Sequence, residues 1–117
     1  MTRARCIQWV QVAQCEAGGQ QRRVTLTSIR QIDWRTNSTY DGGLQFKQST
    51  WTSNMGRIAA RHLTRYQRIQ RSNGRYYFAY RAPSSVQILA AEVLRKRIGG
   101  NPHQTAGWPH CGAWFYA

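Results

Sequence analysis

Four carboxylates, Glu16, Asp33, Asp41 and Glu92, are all the acidic side chains in this chain of 117 residues. Any mechanism that needs one acid or a pair of acids must draw on them. A di-metal carboxylate centre, which uses about four such groups by itself, is excluded. The three cysteines, Cys6, Cys15 and Cys111, are an odd number. In an oxidising setting the simplest account is one disulfide and one free thiol. They form no C-x-x-C pair, and with His103 and His110 they lack the ligand spacing of a zinc site. No metal and no cofactor are expected.

The elements that position these groups can be read from periodicity. Cys6, Trp9, Val10, Ala13 and Ala17 share one apolar face of a helix over 4–17. Gly18-Gly19 stops that helix and leaves Glu16 in its last turn, where a surface helix more often carries Lys or Arg. Val24, Leu26 and Ile29 suggest a short strand. The turn cluster TNSTYDGG follows, and a hairpin or irregular loop over 24–46 is expected. Residues 49–71 read as one helix bearing an arginine stripe of Arg57, Arg61, Arg65 and Arg68. Residues 85–98 form the clearest helix, with a Ser84…Gln87 capping-box pattern after Pro83 and Gly99-Gly100 beyond it. The tail is aromatic and irregular. The fold class is therefore α+β and helix-dominant, a single domain over 1–117 with a short β or loop element after the first helix.

Charge narrows the partners. Lys and Arg number 17 against 4 Asp and Glu, a formal net charge of +13. Such a surface attracts polyanions: nucleic acid, anionic wall polymers or an acidic protein surface. The arginine stripe and the following RYYFAYR mix basic and aromatic residues as nucleic-acid surfaces do; the plainer reading is a solvated helix face. A hydrophobic content of 41% with five Trp, six Tyr and three Phe is enough for a core, so disorder is not expected. No stretch approaches the ~20 apolar residues of a membrane span, so no membrane insertion is expected. The N-terminus has early Arg but no continuous apolar run and does not read as a secretory signal.

Four blocks occur in order: WVQVAQCEAGG at 9–19, TNSTYDGGLQFKQSTW at 36–51, APSSVQILAAEVL at 82–94 and GWPHCG at 107–112. Together they cover roughly half of the chain, and they resemble the resuscitation-promoting-factor catalytic domain, a transglycosylase-like domain of actinobacteria and their phages. The resemblance implies a small lysozyme-like fold that cleaves the glycan strand of peptidoglycan. It implies one catalytic glutamate, matched by Glu16, and a disulfide between Cys15 and Cys111. It matches Thr36 to a substrate-contacting turn threonine, Tyr40 and Gln45 to cleft-lining positions, and Trp51 to the Ser-Thr-Trp of the family. Asp41, a further candidate substrate contact, stands where the family commonly has an aromatic residue. Cys6 is extra; it precedes Cys15 by nine positions, about two and a half helical turns, so those two do not bond within an intact helix. The chain is longer than typical members near 20–32 and 57–81, and the second stretch carries seven Arg.

Glycosidic cleavage needs a protonated acid beside the leaving oxygen. The negative end of the helix dipole and desolvation both favour the neutral form of Glu16, while the surplus positive charge opposes them. A solvated helix-end glutamate is the alternative. For Asp41 that alternative is an ordinary turn residue, and Glu92 reads as solvated or arginine-paired. Trp9 reads as core, Trp108 as packing around the bridge, and Trp51 as either core or sugar platform. His103 and His110 read as surface. The leading function is a lytic transglycosylase or muramidase associated with a phage virion, at its tail, or released at lysis, and acting on peptidoglycan from outside the cytosol. The alternative is a non-catalytic virion module whose basic surface contacts other virion proteins, an anionic polymer or nucleic acid. An open cleft at Glu16 favours the enzyme; a cleft plugged by 57–81 favours the module.

Overall fold

The computed structural model describes all 117 residues. Four α-helices carry the fold: α1 (Arg3–Ala17), α2 (Gln48–Met55), α3 (Arg65–Ser72) and α4 (Ser84–Arg97). The Thr2 hydroxyl caps α1 by accepting from the Arg5 amide, and Gly18 ends it. Trp9, Val10, Val12 and Ala13 are fully buried, and so is Gln14, so the middle of α1 is enclosed on all sides. α2 and α4 pack against each other, and a 3₁₀ turn at Cys111–Tyr116 lies along α1. The tail expected to be irregular is thus a docked element. Its Phe115 meets Trp9 edge-on at 5.0 Å, and Trp108 meets the same indole at 4.8 Å.

The segment after α1 contains no strand. Val24 is buried, but Leu26–Gln31 is a 3₁₀ turn rather than the expected strand. The β component reduces to two isolated bridges, Asn37 with Asp41 and Asp41 with Phe46. Of hairpin and irregular loop, the second is realised. The result is a helix-dominant small domain with a disulfide, consistent with a small lysozyme-like domain.

The single helix expected over 49–71 is two. α2 ends at Met55, Gly56 caps it, and α3 begins only at Arg65. The chain between them turns so that Ile58 and Leu63 enter the core. The freed carbonyls are taken up by arginine: Arg71 donates to Ile58 O at 2.7 Å, and Arg68 to Leu63 O at 2.8 Å. The arginine stripe is therefore not one helical face. Arg57 and Arg61 lie in the connection, Arg65 and Arg68 lie on α3, and the Arg68 guanidinium is engaged by the backbone.

Gln87 also departs from expectation. It caps nothing; the helix cap is Pro83, without a side-chain bond. Its side chain is fully buried and clamps three segments together. Oε1 accepts from Gly43 N at 2.9 Å, and Nε2 faces the carbonyls of Trp34, Ala79 and Ala82, each at 2.9 Å. Gly42 and Gly43 permit this approach. Gly42 sits at φ +79° with Gln87 against its Cα, and a Cβ on Gly43 would overlap the Trp34 ring.

Candidate active site

Glu16 stands in the last turn of α1, with no basic residue in that turn. The preceding residue, Cys15, is bonded to Cys111, with Cα atoms 5.6 Å apart. The pairing implied by the sequence resemblance is present, and Cys6 is the free thiol. The bridge sets the chain at His110 beside the chain at Glu16. Both line a cavity of about 440 Å³, together with Tyr40, Gln45, Lys47, Thr50 and the rest of the 105–110 loop. Leu94 and Trp108 contribute apolar wall. The rim is held by two cross-connections: Trp108 Nε1 donates to Leu44 O at 2.8 Å, and Phe46 and Asp41 exchange backbone bonds at 2.8 and 2.9 Å.

Glu16 is half-buried and makes no side-chain hydrogen bond or ion pair within the chain. Burial pushes its carboxyl above the ordinary range, and the positive charge of His110 pulls it part of the way back. The net direction is upward despite the +13 charge, because distant surface charges are screened over about 8–10 Å. The desolvation inferred from sequence is thus the dominant cause. A carboxyl whose surroundings favour its protonated form, in an open cavity, can deliver a proton to a bound oxygen.

The other predicted residues divide. Tyr40, 48% exposed, and Gln45 line the cavity with Glu16. Gln45 has a left-handed backbone, φ 52°, and its Nε2 donates to Gly42 O at 2.8 Å. Trp51 is a correction: it is fully buried, donates to Tyr76 O at 2.8 Å and packs on Phe46, so no sugar reaches its face. Asp41 is buried too and takes its turn reading. Its Oδ1 accepts from Ser38 N at 3.2 Å, and it does not line the cavity. The Thr36 hydroxyl donates to Asp33 O at 3.1 Å, and Thr36 lies outside the cavity wall. Glu92 is the arginine-paired residue of its two readings. None of the other three carboxylates lines the Glu16 cavity, and neither does any residue of 57–81.

His110, expected at the surface, is indeed exposed, yet it lines the cavity with Glu16 and its charge acts on that carboxyl, a role that its residue type alone does not announce. The signal for it lies in its position. Glu16 follows Cys15 and His110 precedes Cys111, so a bridge between those cysteines makes the two neighbours. Lys47 and Thr50 have no such marker.

A family model described as a transglycosylase-like domain matches residues 3–111. No curated protein and no solved structure matches this chain. The span matched by the family model takes in α1 with Glu16, the Gly42–Phe46 turn, α4 and Cys111, which are the parts that build the cavity. With nearly its whole length matched, the chain belongs to the transglycosylase-like domain family, whose chemistry is directed at the glycan strand of peptidoglycan.

Proposed function

We propose that this domain cleaves the peptidoglycan glycan strand with Glu16 as its general acid. The observation that carries the reading is a half-buried carboxyl, raised above its ordinary range and free of internal partners, in a cavity that the 57–81 segment leaves open. Glu16 gives its proton to the glycosidic oxygen as the bond to the sugar C1 breaks. A covalent or water-activating route through a second carboxylate needs that group about 5–9.5 Å away across the bond, and the cavity wall offers none. The N-acetyl oxygen of the substrate therefore supports C1. The ionised Glu16 then recovers a proton from the sugar's own 6-hydroxyl, which closes a 1,6-anhydro ring. This is the lytic transglycosylase outcome; a muramidase would deliver water instead.

The disulfide suits action outside a reducing cytosol, and we place the domain on a phage particle or among its lysis proteins. Digestion of purified peptidoglycan with mass spectrometry of the released muropeptides tests the chemistry. Anhydromuramyl ends support intramolecular capture by the 6-hydroxyl, and reducing ends indicate water. Intact glycan across about pH 4–8, with binding retained, would leave a virion attachment module on the same fold.

A further inference from the structure

A second concavity shares no residue with the Glu16 cavity. It measures about 420 Å³ and lies between α3, the Trp34–Arg35 turn and the N-terminus of α4. Its charged lining is Arg35, Arg75 and Arg81, with no carboxylate. None of the three guanidiniums is ion-paired; the chain's two salt bridges both belong to Glu92. Asp33, the nearest acid in sequence, accepts from the backbone amide of Arg35 rather than from its side chain. Arg81 is held over the rings of Phe78 and Tyr80 at 5.1 and 5.6 Å. Guanidiniums remain charged at every physiological pH, and their planar donors suit phosphoryl oxygens. An anion that enters the concavity meets three guanidiniums and no carboxylate.

Two buried polar side chains point to the same ligand. Tyr76 is 4% exposed as a residue, but its hydroxyl is not enclosed and makes no hydrogen bond within the chain. Gln70 is 9% exposed; its Oε1 accepts from Asn73 at 3.3 Å, which leaves Nε2 without an acceptor. Both line the cavity. Neither donor is enclosed by the protein, so both stay open to an incoming acceptor, and beside three guanidiniums without ion pairs they describe a site for an acceptor-rich anion. Burial, with the neighbouring Tyr66, holds the Tyr76 hydroxyl protonated and hence a donor.

We propose that this cavity is a second binding site, which holds a phosphoryl group carried on a single sugar or polyol unit. The volume exceeds the needs of a bare phosphate. Only Tyr66, at 66% exposure, offers a broad free ring among the lining aromatics, since Tyr80 stacks on Phe78 and Trp34 backs onto Gly43. Single-stranded nucleic acid takes a basic groove with successive aromatic platforms; one ring platform over one anion pocket fits one phosphorylated unit.

The test is binding to the full chain, followed by calorimetry and by ¹⁵N spectra that resolve the Gln70 amide and the arginine Nε groups. The probes are inorganic phosphate, glucose 1-phosphate, neutral glucose, poly(glycerol phosphate) and a single-stranded oligonucleotide of matched charge. Glucose 1-phosphate should saturate the site and move the Gln70 and Arg81 signals, more tightly than inorganic phosphate, with no response to glucose. Arg75→Gln and Arg81→Gln should each weaken binding about tenfold or more. Tyr76→Phe keeps the buried ring and should weaken it severalfold, while Glu16→Gln should leave it unchanged. Polymer bound more tightly per phosphate than the monomer identifies a wall-polymer unit; equal binding identifies a free sugar phosphate. The proposal is overturned by failure to saturate, by shifts spread equally over Arg57 and Arg61, by inorganic phosphate binding as tightly as the sugar phosphate, or by tighter binding of the oligonucleotide.

Discussion

Glu16 and Glu92 are both partly buried glutamates that serve the same helix from opposite ends, and their chemistry diverges. At the C-terminal end of α1, Glu16 loses water and gains no hydrogen bond, so its carboxyl is pushed up. Near the N-terminal end, Glu92 also loses water, which by itself would raise it. Hydrogen bonds from Arg95 and Trp9, with the charges of Arg95 and Arg5, outweigh that loss and hold it below the ordinary range. The bonds are short: 2.7 and 3.0 Å from Arg95, 2.9 Å from Arg5 and 3.1 Å from the Trp9 indole. Burial alone does not decide what a carboxyl does. Its donors do, and two environments that drive like groups apart separate a reactive acid from a structural anion.

Exchanging each acid for its amide should separate the two roles. Glu16→Gln keeps size but removes the deliverable proton. Glycan cleavage should fall about 10²–10⁴-fold, with the folded protein retained by circular dichroism. Stability near neutral pH should hold or rise slightly. The folded state binds the Glu16 proton more tightly than the unfolded chain does, so the group's favourable contribution is present at low pH and fades as pH rises through the raised value. A cleavage rate within about threefold of the parent would remove Glu16 from the chemistry.

The bridge bears on one pole of this comparison. It closes a span of 96 residues and ties the Glu16 end of α1 to the His110 loop. Replacing Cys15 and Cys111 together by Ser should cost about 4–5 kcal/mol on the chain-entropy account, read from urea midpoints. Cys6→Ser, at the free thiol, should leave the midpoint nearly unchanged.

Glu92→Gln should do the reverse of Glu16→Gln. It leaves two guanidiniums and an indole facing a neutral amide, at a cost of about 2–3 kcal/mol, with cleavage per folded molecule preserved. Because the Glu92 carboxyl is depressed, its contribution is present above the unfolded value of about 4.3 and is lost as pH falls through the folded one. The parent should therefore lose stability on acidification below about pH 4.5 more steeply than Glu92→Gln does. Parallel acid-unfolding curves would show that the Arg5–Glu92–Arg95 cluster contributes nothing.

How much of this was legible follows from what each signal measures. α1 and α4 were readable because one apolar face fixes a helix and Gly-Gly ends it. Glu16 was readable through the blocks around it rather than through its own position. The break between α2 and α3 was hidden because Ile58, His62, Tyr66 and Ile69 keep a helical rhythm through it. Yet Gly56 is a poor helix interior residue, and Thr64 with Gln67 forms the reciprocal cap that starts α3. The pattern at Ser84 and Gln87 was equally regular and misleading, because a clamp spanning Trp34, Gly43, Ala79 and Ala82 is tertiary and has no local signature. Trp51 was ambiguous for a similar reason: ring type says nothing about which side of the core it occupies.

The smallest expected effect is the one that sharpens the comparison most. Glu92 is surrounded by cations that also donate hydrogen bonds to it; Glu16 faces one cation, His110, that lowers its pKa through charge alone. If that account holds, His110→Ala should leave the fold and the maximum cleavage rate close to the parent's. It should move only the pH at which activity declines. Removal of the positive charge lets desolvation act unopposed, so Glu16 keeps its proton to higher pH and the descending limb of kcat/KM shifts upward. The shift should shrink as ionic strength rises, because a charge acting within an open, solvated cavity is screened. His110→Lys keeps a cation and should hold the limb near the parent position. A limb that moves downward in His110→Ala would mean that His110 helps protonate Glu16. A fall in maximum rate with the limb unmoved would make the imidazole a substrate contact instead.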